Sequence, residues 1–354
     1  MNTFNSNIIS RTVIGLFASV SLMAGNAVYA KDAHTDIKAG AADLQKWLLP
    51  DTPPVPENNA LTPERISLGQ KLFFDPRLSG EGNMSCATCH NPMLGWSDGL
   101  PTAKGVKSQV LGRASPTIIN TAFNSIQMWD GRKKSLEDQA MGPMEATVEM
   151  NMDTKKLFKW LQSNNEYSQL FEQAYPGEEI GASTVARALA SYERTVISNN
   201  SAFDKWVKGD ASAMTPKQVN GFKLFVGKAK CNNCHMAPNF TDNGFHNLGL
   251  ASFGDKTPDL GRYMQKPIGL LKGAFKTPTL RDISRTAPYF HDGSAKTLMD
   301  VVNHYDQGGV VKTRLSPNMP RKLDLTQQEK EELVAFMEAL TSPFIKVELP
   351  ELPR

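Results

Sequence analysis

Cys86-Ala87-Thr88-Cys89-His90 and Cys231-Asn232-Asn233-Cys234-His235 between them contain all four cysteines of the chain. C-x-x-C-H is the attachment signature of c-type haem: the two thiols add to the haem vinyl groups, and the histidine that follows becomes the proximal iron ligand. A chance match or a redox dithiol would not place every cysteine in the same pentapeptide twice. A zinc site would more usually pair one C-x-x-C with another, or with spaced histidines. The reading is two covalent haems, held by Cys86 and Cys89 with His90 as iron ligand, and by Cys231 and Cys234 with His235.

What precedes each motif is also repeated. Thr62-Pro63 reads as a helix start, threonine as N-cap and proline in the first turn, and leads through Gly69-Gln70-Lys71-Leu72-Phe73 towards the first motif. Thr215-Pro216 and Gly221-Phe222-Lys223-Leu224-Phe225 do the same before the second. A helix followed by a haem motif, twice, predicts a mainly α chain of two cytochrome c-like domains, each enclosing one haem. The boundaries expected are 31–199 and 200–354. A Gly-rich loop, Ser79 to Asn83, approaches the first haem. The first domain closes with helices over Thr154–Ser163 and Thr184–Ile197. The second closes with a helix opened by the capping box Thr326-Gln327-Gln328-Glu329. Leu333, Val334, Phe336, Met337 and Leu340 form its apolar stripe, so Met337 reads as core. Ahead of both domains, Asp36 to Leu49 has helical apolar spacing, and a Pro-rich linker follows from Pro50 to Pro56.

The 354 residues suffice for two domains, and 40% apolar content is ordinary for a globular protein. Residues 1–30 read as a signal peptide: Arg11 is their only charge, an apolar run follows from Val13 to Met23, and Val28-Tyr29-Ala30 is a small-residue cleavage site. The run is too short and too broken to span a membrane. Covalent haem attachment agrees with export, so the mature chain, without a membrane span, is expected in the periplasm. The formal charge of +3, or +2 without Arg11, has no clustered basic face and argues against nucleic acid.

The six histidines are His34, His90, His235, His246, His291 and His304, and none lies between His90 and His235. The first haem therefore has one local histidine. An iron with an open sixth position binds peroxide, whereas one with two strong protein ligands does not. The alternative is that Met93, Met128, Met141 or Met144 fills the position and makes a plain electron carrier.

Trp129-Asp130-Gly131-Arg132, Gln139, Gly142-Pro143 and Glu149 carry a resemblance that extends through Arg113-Ala114-Ser115-Pro116-Thr117, Phe203-Asp204-Lys205-Trp206, Phe275 to Arg281 and Thr286 to Gly293. In order and spacing these pieces resemble the bacterial di-haem cytochrome c peroxidase and MauG family from about Thr62 onward. The resemblance implies that the first haem reacts with hydrogen peroxide, with Glu149 moving a proton between the peroxide oxygens and Gln139 orienting the molecule. It implies that Trp129 relays electrons between the haems. Arg132 and Arg281 would pair with haem propionates or with carboxylates.

Two positions divide that family. Typical members cap the first haem with a histidine in the stretch aligned with Gly105-Val106-Lys107, where this chain has Val106. They also place a methionine on the second iron fifteen residues after the residue aligned with Phe290, where this chain has Tyr305. The MauG branch resembles this chain at both. Methionine raises a haem potential, whereas a phenolate should lower it and favour the oxidised states. Met299, Met319 and His304 are the alternatives to Tyr305. Two departures limit the likeness. Thr286 and Pro288 could give carbonyls to a calcium ion, but Ala114 stands where the family's Asn ligand would, which counts against calcium. Ala229-Lys230 replaces the tryptophan that MauG carries before its second motif, which points to another substrate or another exit. The expectation is a periplasmic di-haem peroxidase oxidising an external donor or protein substrate in the MauG manner. The rivals are an ordinary cytochrome c peroxidase fed by a small cytochrome or cupredoxin, and a non-enzymatic electron carrier.

Overall fold

Gly69 and Gly221, the glycines of the repeated segment, sit where two helix pairs touch. The structure, a computed structural model, describes residues 37–354, so the signal-peptide reading and His34 lie outside the described residues. Helix α1 (Pro63–Phe74) is capped by Thr62, whose hydroxyl accepts from the Arg65 N–H. It crosses α6 (Ala182–Glu193) so closely that a Cβ on Gly69 would lie 1.9 Å from the Ala188 carbonyl oxygen. Helix α8 (Pro216–Val226), capped by Thr215, crosses α10 (Gln327–Ala339) in the same way: a Cβ on Gly221 would lie 1.9 Å from the Glu332 oxygen. The repeat therefore encodes one helix crossing, used twice, in which the missing side chain lets the backbones meet.

Between these helices the chain forms α2 (Cys86–Cys89), α3 (Leu136–Glu145), α4 (Thr154–Ser163), α5 (Asn165–Ala174), α7 (Ala202–Val207) and α9 (Leu298–Asp306). Strands β1 (Phe245–His246) and β2 (Phe275–Lys276) pair antiparallel, Phe245 with Lys276 and His246 with Phe275. Helix α4 covers the expected Thr154–Ser163. Helix α6 starts and ends earlier than Thr184–Ile197, because Thr184 is the N3 residue of a cap that begins at Gly181 and its hydroxyl accepts the Gly181 N–H. No helix among the described residues is long and apolar enough to cross a membrane.

The buried apolar residues fall into two clusters. One gathers Leu68, Leu72, Phe73, Leu157, Leu161, Tyr167, Phe171 and Leu189; the other gathers Phe203, Trp206, Phe222, Phe225, Phe240, Leu333 and Phe336. The chain ends cross over between them. Leu44 and Trp47 join the second cluster, where the Trp47 ring meets Phe203, Phe222, Phe225 and Phe240. Ile345 and Val347 pack on the first cluster, and the tail carbonyls of Glu348, Glu351 and Pro353 accept hydrogen bonds from Gln70, Lys71 and Arg77. Of Asp36–Leu49, expected as an ordinary helix, the described residues 37–49 contain only a 3₁₀ segment, Ala42–Trp47. With three residues per turn, that geometry stacks Leu44 directly under Trp47.

Candidate active site

Each C-x-x-C-H motif opens onto its own cavity. The first, of about 500 Å³, is lined by Cys86, Cys89 and His90 and by Trp129, Arg132, Gln139 and Glu149. The second, of about 230 Å³, is lined by Cys231, Cys234, His235 and Tyr305. In both motifs the backbone turns back on itself: the His90 N–H donates to the Cys86 oxygen and the His235 N–H to the Cys231 oxygen, each at 2.9 Å. His90 Nδ1 lies 3.3 Å from the Trp96 carbonyl oxygen and His235 Nδ1 lies 2.9 Å from that of Phe240. A ring nitrogen facing a carbonyl must carry the proton, which leaves Nε2 with its lone pair towards the cavity. Burial pushes both imidazoles down, His235 to about 4, so both rings are neutral, the form that ligates metal. Burial also pushes the Cys86 and Cys231 thiols up to about 12. The two motifs line separate cavities rather than converging on one four-cysteine site.

The far wall of the first cavity comes from α3 and the loop after it. Gln139 and Pro143 are one helical turn apart on α3 and, with Ala140 and Met144, face inward. Glu149 follows on a turn closed by its own N–H to the Ala146 oxygen, and its carbonyl accepts the Val106 N–H at 2.8 Å. Burial raises the Glu149 carboxyl above the ordinary range while the Arg132 cation pulls it back. Val106 buries its side chain, and Gly105 rather than Val106 lines the cavity. His90 is the histidine of this lining. Of the methionines weighed for the sixth position, Met128 and Met144 reach the wall; Met93 is 73% exposed, and neither it nor Met141 lines the cavity.

Trp129 lines both cavities. Its Nε1 donates to the Ala114 carbonyl at 2.9 Å and its own carbonyl accepts the Lys276 N–H at 2.8 Å. Arg262 holds the next two carbonyls, Asp130 at 2.9 Å and Gly131 at 2.6 Å. The tryptophan is thus fixed by backbone contacts on both sides. His291, itself stacked on Phe275 at 3.5 Å, stands edge-on at 6.4 Å. Ala114 gives its carbonyl to Trp129, while Thr286 and Pro288 line the second cavity.

Tyr305 and His304 leave α9 in different directions. Tyr305 lines the second cavity, and its phenol is pushed up by burial and then by the neighbouring Cys234 and Cys231. His304 Nε2 faces the Leu248 carbonyl at 2.9 Å. Met319 and Met337 also line this cavity, whereas Met299 does not. Met337 is core and wall at once.

The two arginines divide. Arg132 lines the first cavity and pairs with Asp130 at 3.0 Å. Arg281 lines neither cavity. It is 1% exposed and saturated by Asp204 at 2.9 and 3.0 Å, the Trp47 carbonyl at 2.8 Å and the Pro238 carbonyl. The cofactor role expected for Arg281 gives way to a structural one, because the guanidinium is used up in tying the N-terminal segment to α7. Several cavity groups carry no signal in the sequence. Glu193 lines the first cavity. Lys276, pushed down to about 8 by burial, lines the second. So does His246: burial opposes its charge, while Asp242 at 2.7 Å and the free Cys234 sulfur favour it and raise the imidazole.

Residues 63–212 match the family model described as di-haem cytochrome c peroxidase. The methylamine utilization protein MauG of Methylorubrum extorquens is 41% identical over 343 residues, 96% of each chain. The cytochrome-c peroxidase IdrP1 of a Pseudomonas species is 37% identical over 85% of this chain and 87% of its own. The solved structure of a MauG-like protein associated with microbial copper homeostasis superimposes with a TM-score of 0.77 at 29% identity, covering 83% of this chain and 95% of the other. The chain belongs to the di-haem cytochrome c peroxidase family. It is accordingly a di-haem peroxidase, an oxidoreductase acting on peroxide, with the mainly helical fold of that family. Two haems suit what the cavities present: each has a thiol pair, a neutral imidazole with a free Nε2, and mostly apolar walls.

Proposed function

We propose that the chain is a periplasmic, MauG-like peroxidase, exported by the signal peptide of residues 1–30, that reduces hydrogen peroxide in the His90 cavity and oxidises an external donor or protein substrate. Each apolar cluster with its cavity forms one haem domain, 31–199 and 200–354 apart from the exchanged ends. His90 and His235 are the proximal ligands, and Tyr305 is the second ligand of the C-terminal haem. When bound, the haems supply the iron redox chemistry that peroxide reduction requires.

The chain's own residues do the rest. Glu149 Oε accepts the proton of one peroxide oxygen and returns it to the other, so that water rather than hydroxide leaves. Its environment suits this: burial favours the acid, Arg132 favours the base, and a group between the two can exchange a proton either way. Gln139, on the rigid face of α3, holds the peroxide by hydrogen bonds. Trp129, touching both cavities, passes electrons from the second to the first. Arg132 screens negative charge at the mouth of the first cavity.

The observation that carries this reading is the make-up of the first cavity's wall: one imidazole, no opposing histidine, and a carboxyl and an amide in its place. An electron paramagnetic resonance spectrum of the resting diferric protein tests it. One high-spin and one low-spin haem are expected, with cyanide binding the high-spin one without prior reduction. Two low-spin signals would overturn it. A second reading, an ordinary peroxidase with methionine on the second iron, keeps one observation in its favour: Met319 is buried in the wall of the Tyr305 cavity. Calcium forms no part of this reading, because Ala114 has no side-chain oxygen where the family's Asn ligand would stand.

A further inference from the structure

The first cavity contains a second carboxyl that the function above does not use. Glu193 ends α6, is 6% exposed and lines the same cavity as Glu149 on the side of Cys86. Among the described residues no hydrogen bond or ion pair reaches its carboxyl group; the charges that act on it are Arg194 and Glu137. Arg194, its neighbour in sequence, is turned away: Nη1 pairs with Glu137 at 2.7 Å and Nε donates to the Pro54 carbonyl at 3.3 Å. Glu137, on α3, is a second negative charge nearby and also accepts from Asn59. From α2 the facing group is Cys86, which haem attachment consumes. Across the cavity stand Glu149 and Arg132, and His90 is committed as a ligand.

Burial and the nearby Glu137 charge oppose a carboxylate here, and they outweigh the Arg194 cation, which favours it. The group lies in a buried cavity wall with no ion pair of its own among the described residues, an environment that disfavours charge. It sits at the negative end of a helix, where anions are disfavoured. The α1–α6 crossing at Gly69 leaves α6 no freedom to swing it into solvent.

We propose that Glu193 is a second proton-carrying carboxyl of the first cavity, one that takes a proton from solvent when the haem there accepts an electron and gives it back when the electron leaves. The proposal rests on the assignment of the first haem to this cavity. The balance is one electron from the external one-electron donor and one proton from solvent, added to the cavity together, with the Glu193 Oε–H bond the only bond formed. The physical cause is Coulombic: in a water-poor cavity, added negative charge is far less costly when a proton arrives with it. Peroxide reduction to water consumes two electrons and two protons, and Glu149, which returns the proton it takes, supplies neither proton. A buried carboxyl beside the haem can supply one of them, its O–H bond breaking as the proton passes on, and the other comes from solvent.

The test is a spectroelectrochemical titration of the first haem in the full holoprotein at a series of pH values. In the parent the midpoint potential should fall with rising pH, by up to about 59 mV per unit for one proton per electron. The window should surround the value of about 8 to which burial raises the carboxyl. Glu193→Gln should flatten the dependence, and Glu193→Asp should keep it with a moved inflection. A parent slope retained in Glu193→Gln overturns the proposal. If Glu193→Gln does not load haem, the parent decides through a reduced-minus-oxidised infrared spectrum. A protonated-carboxyl band that shifts in deuterium oxide supports the proposal, and its absence overturns it. A parent that titrates as expected but reduces no peroxide with a small-molecule donor would refute the function proposed above and support Glu193 as a redox-linked proton site.

Discussion

The two cavities are built on the same scaffold and finished differently. Each has the pentapeptide, the histidine whose Nδ1 faces a carbonyl, and a glycine at a helix crossing. Opposite the histidine the likeness ends. The first cavity offers Gln139 and Glu149, polar groups that leave space for a small molecule; the second offers Tyr305, whose oxygen can bind a metal. On the function proposed here, one scaffold would serve an iron that meets substrate and an iron that does not. The difference lies in a few side chains carried by α3, the loop after it, and α9.

The shared scaffold is the first thing to challenge. Gly69→Ala and Gly221→Ala each force a methyl group to 1.9 Å from a backbone oxygen, and neither helix pair can part without opening its core. Each variant should lose about 3 kcal/mol or more, the upper end of the cost of overpacking. Thermal unfolding of the holoprotein checks this. A large loss in one variant and none in the other would mean that the two crossings are not equivalent after all.

Next comes Glu149, the proton carrier proposed for the first cavity. Glu149→Gln preserves shape and removes the proton carrier, so peroxide turnover with a small-molecule donor should fall about 100-fold, equivalent to about 2.7 kcal/mol of barrier. Haem content and the resting spectrum should stay as they are. Turnover equal to that of the parent would erase the functional distinction between the two cavities.

Much of this comparison was legible in the sequence, for identifiable reasons. Attachment chemistry fixes the cysteine spacing and histidine position, so the motifs can be read directly. The glycine of the repeat could be seen too, although its purpose, close backbone approach, needed the partner helix. Tyr305 was singled out by the register of the family resemblance, fifteen residues after Phe290, and it is Tyr305 that lines the second cavity while His304 faces the Leu248 carbonyl. What stayed hidden depends on packing between distant segments. Trp47 enters the second cluster from across the chain, and Arg281 is claimed by Asp204 and by that same segment. An arginine in a sequence does not say which carboxylate will take it. Glu193 looked like any helical glutamate until α6 was laid against the cavity.

The identity of the second wall can be sharpened with a pair of substitutions on α9. His304→Ala should leave the low-spin signal of the second haem unchanged, because His304 is bound to the Leu248 carbonyl. Tyr305→Phe should abolish or alter that signal, and Tyr305→Met should raise the potential of the second haem, following the ranking of axial ligands. The measurements are paramagnetic resonance and redox titration. If the tyrosine variants are silent and Met319→Leu is not, the second cavity is that of an ordinary peroxidase.

The smallest effect expected is a shift along the pH axis, confined to the first cavity. In the role proposed for it Glu149 acts first as a base, so the active form would be the ionised one. Burial raises its pKa, and turnover should therefore decline on the acid side with a midpoint above the ordinary carboxylate value. Arg132 works in the opposite direction by favouring the ionised form. Arg132→Gln removes that help, so the pKa should rise further and the acid limb should move to higher pH, by less than about one unit, since Arg132 is partly exposed and already paired with Asp130. The plateau at higher pH, where Glu149 is ionised in both proteins, should change little, and the second haem should not respond, because Arg132 does not line its cavity. A pH–rate profile of kcat/KM for peroxide decides this. A limb that stays in place would mean that the two side chains do not sense each other once haem is bound. A limb that moves to lower pH would mean that Arg132 acts on some other proton carrier, and Glu193 would be the first to examine.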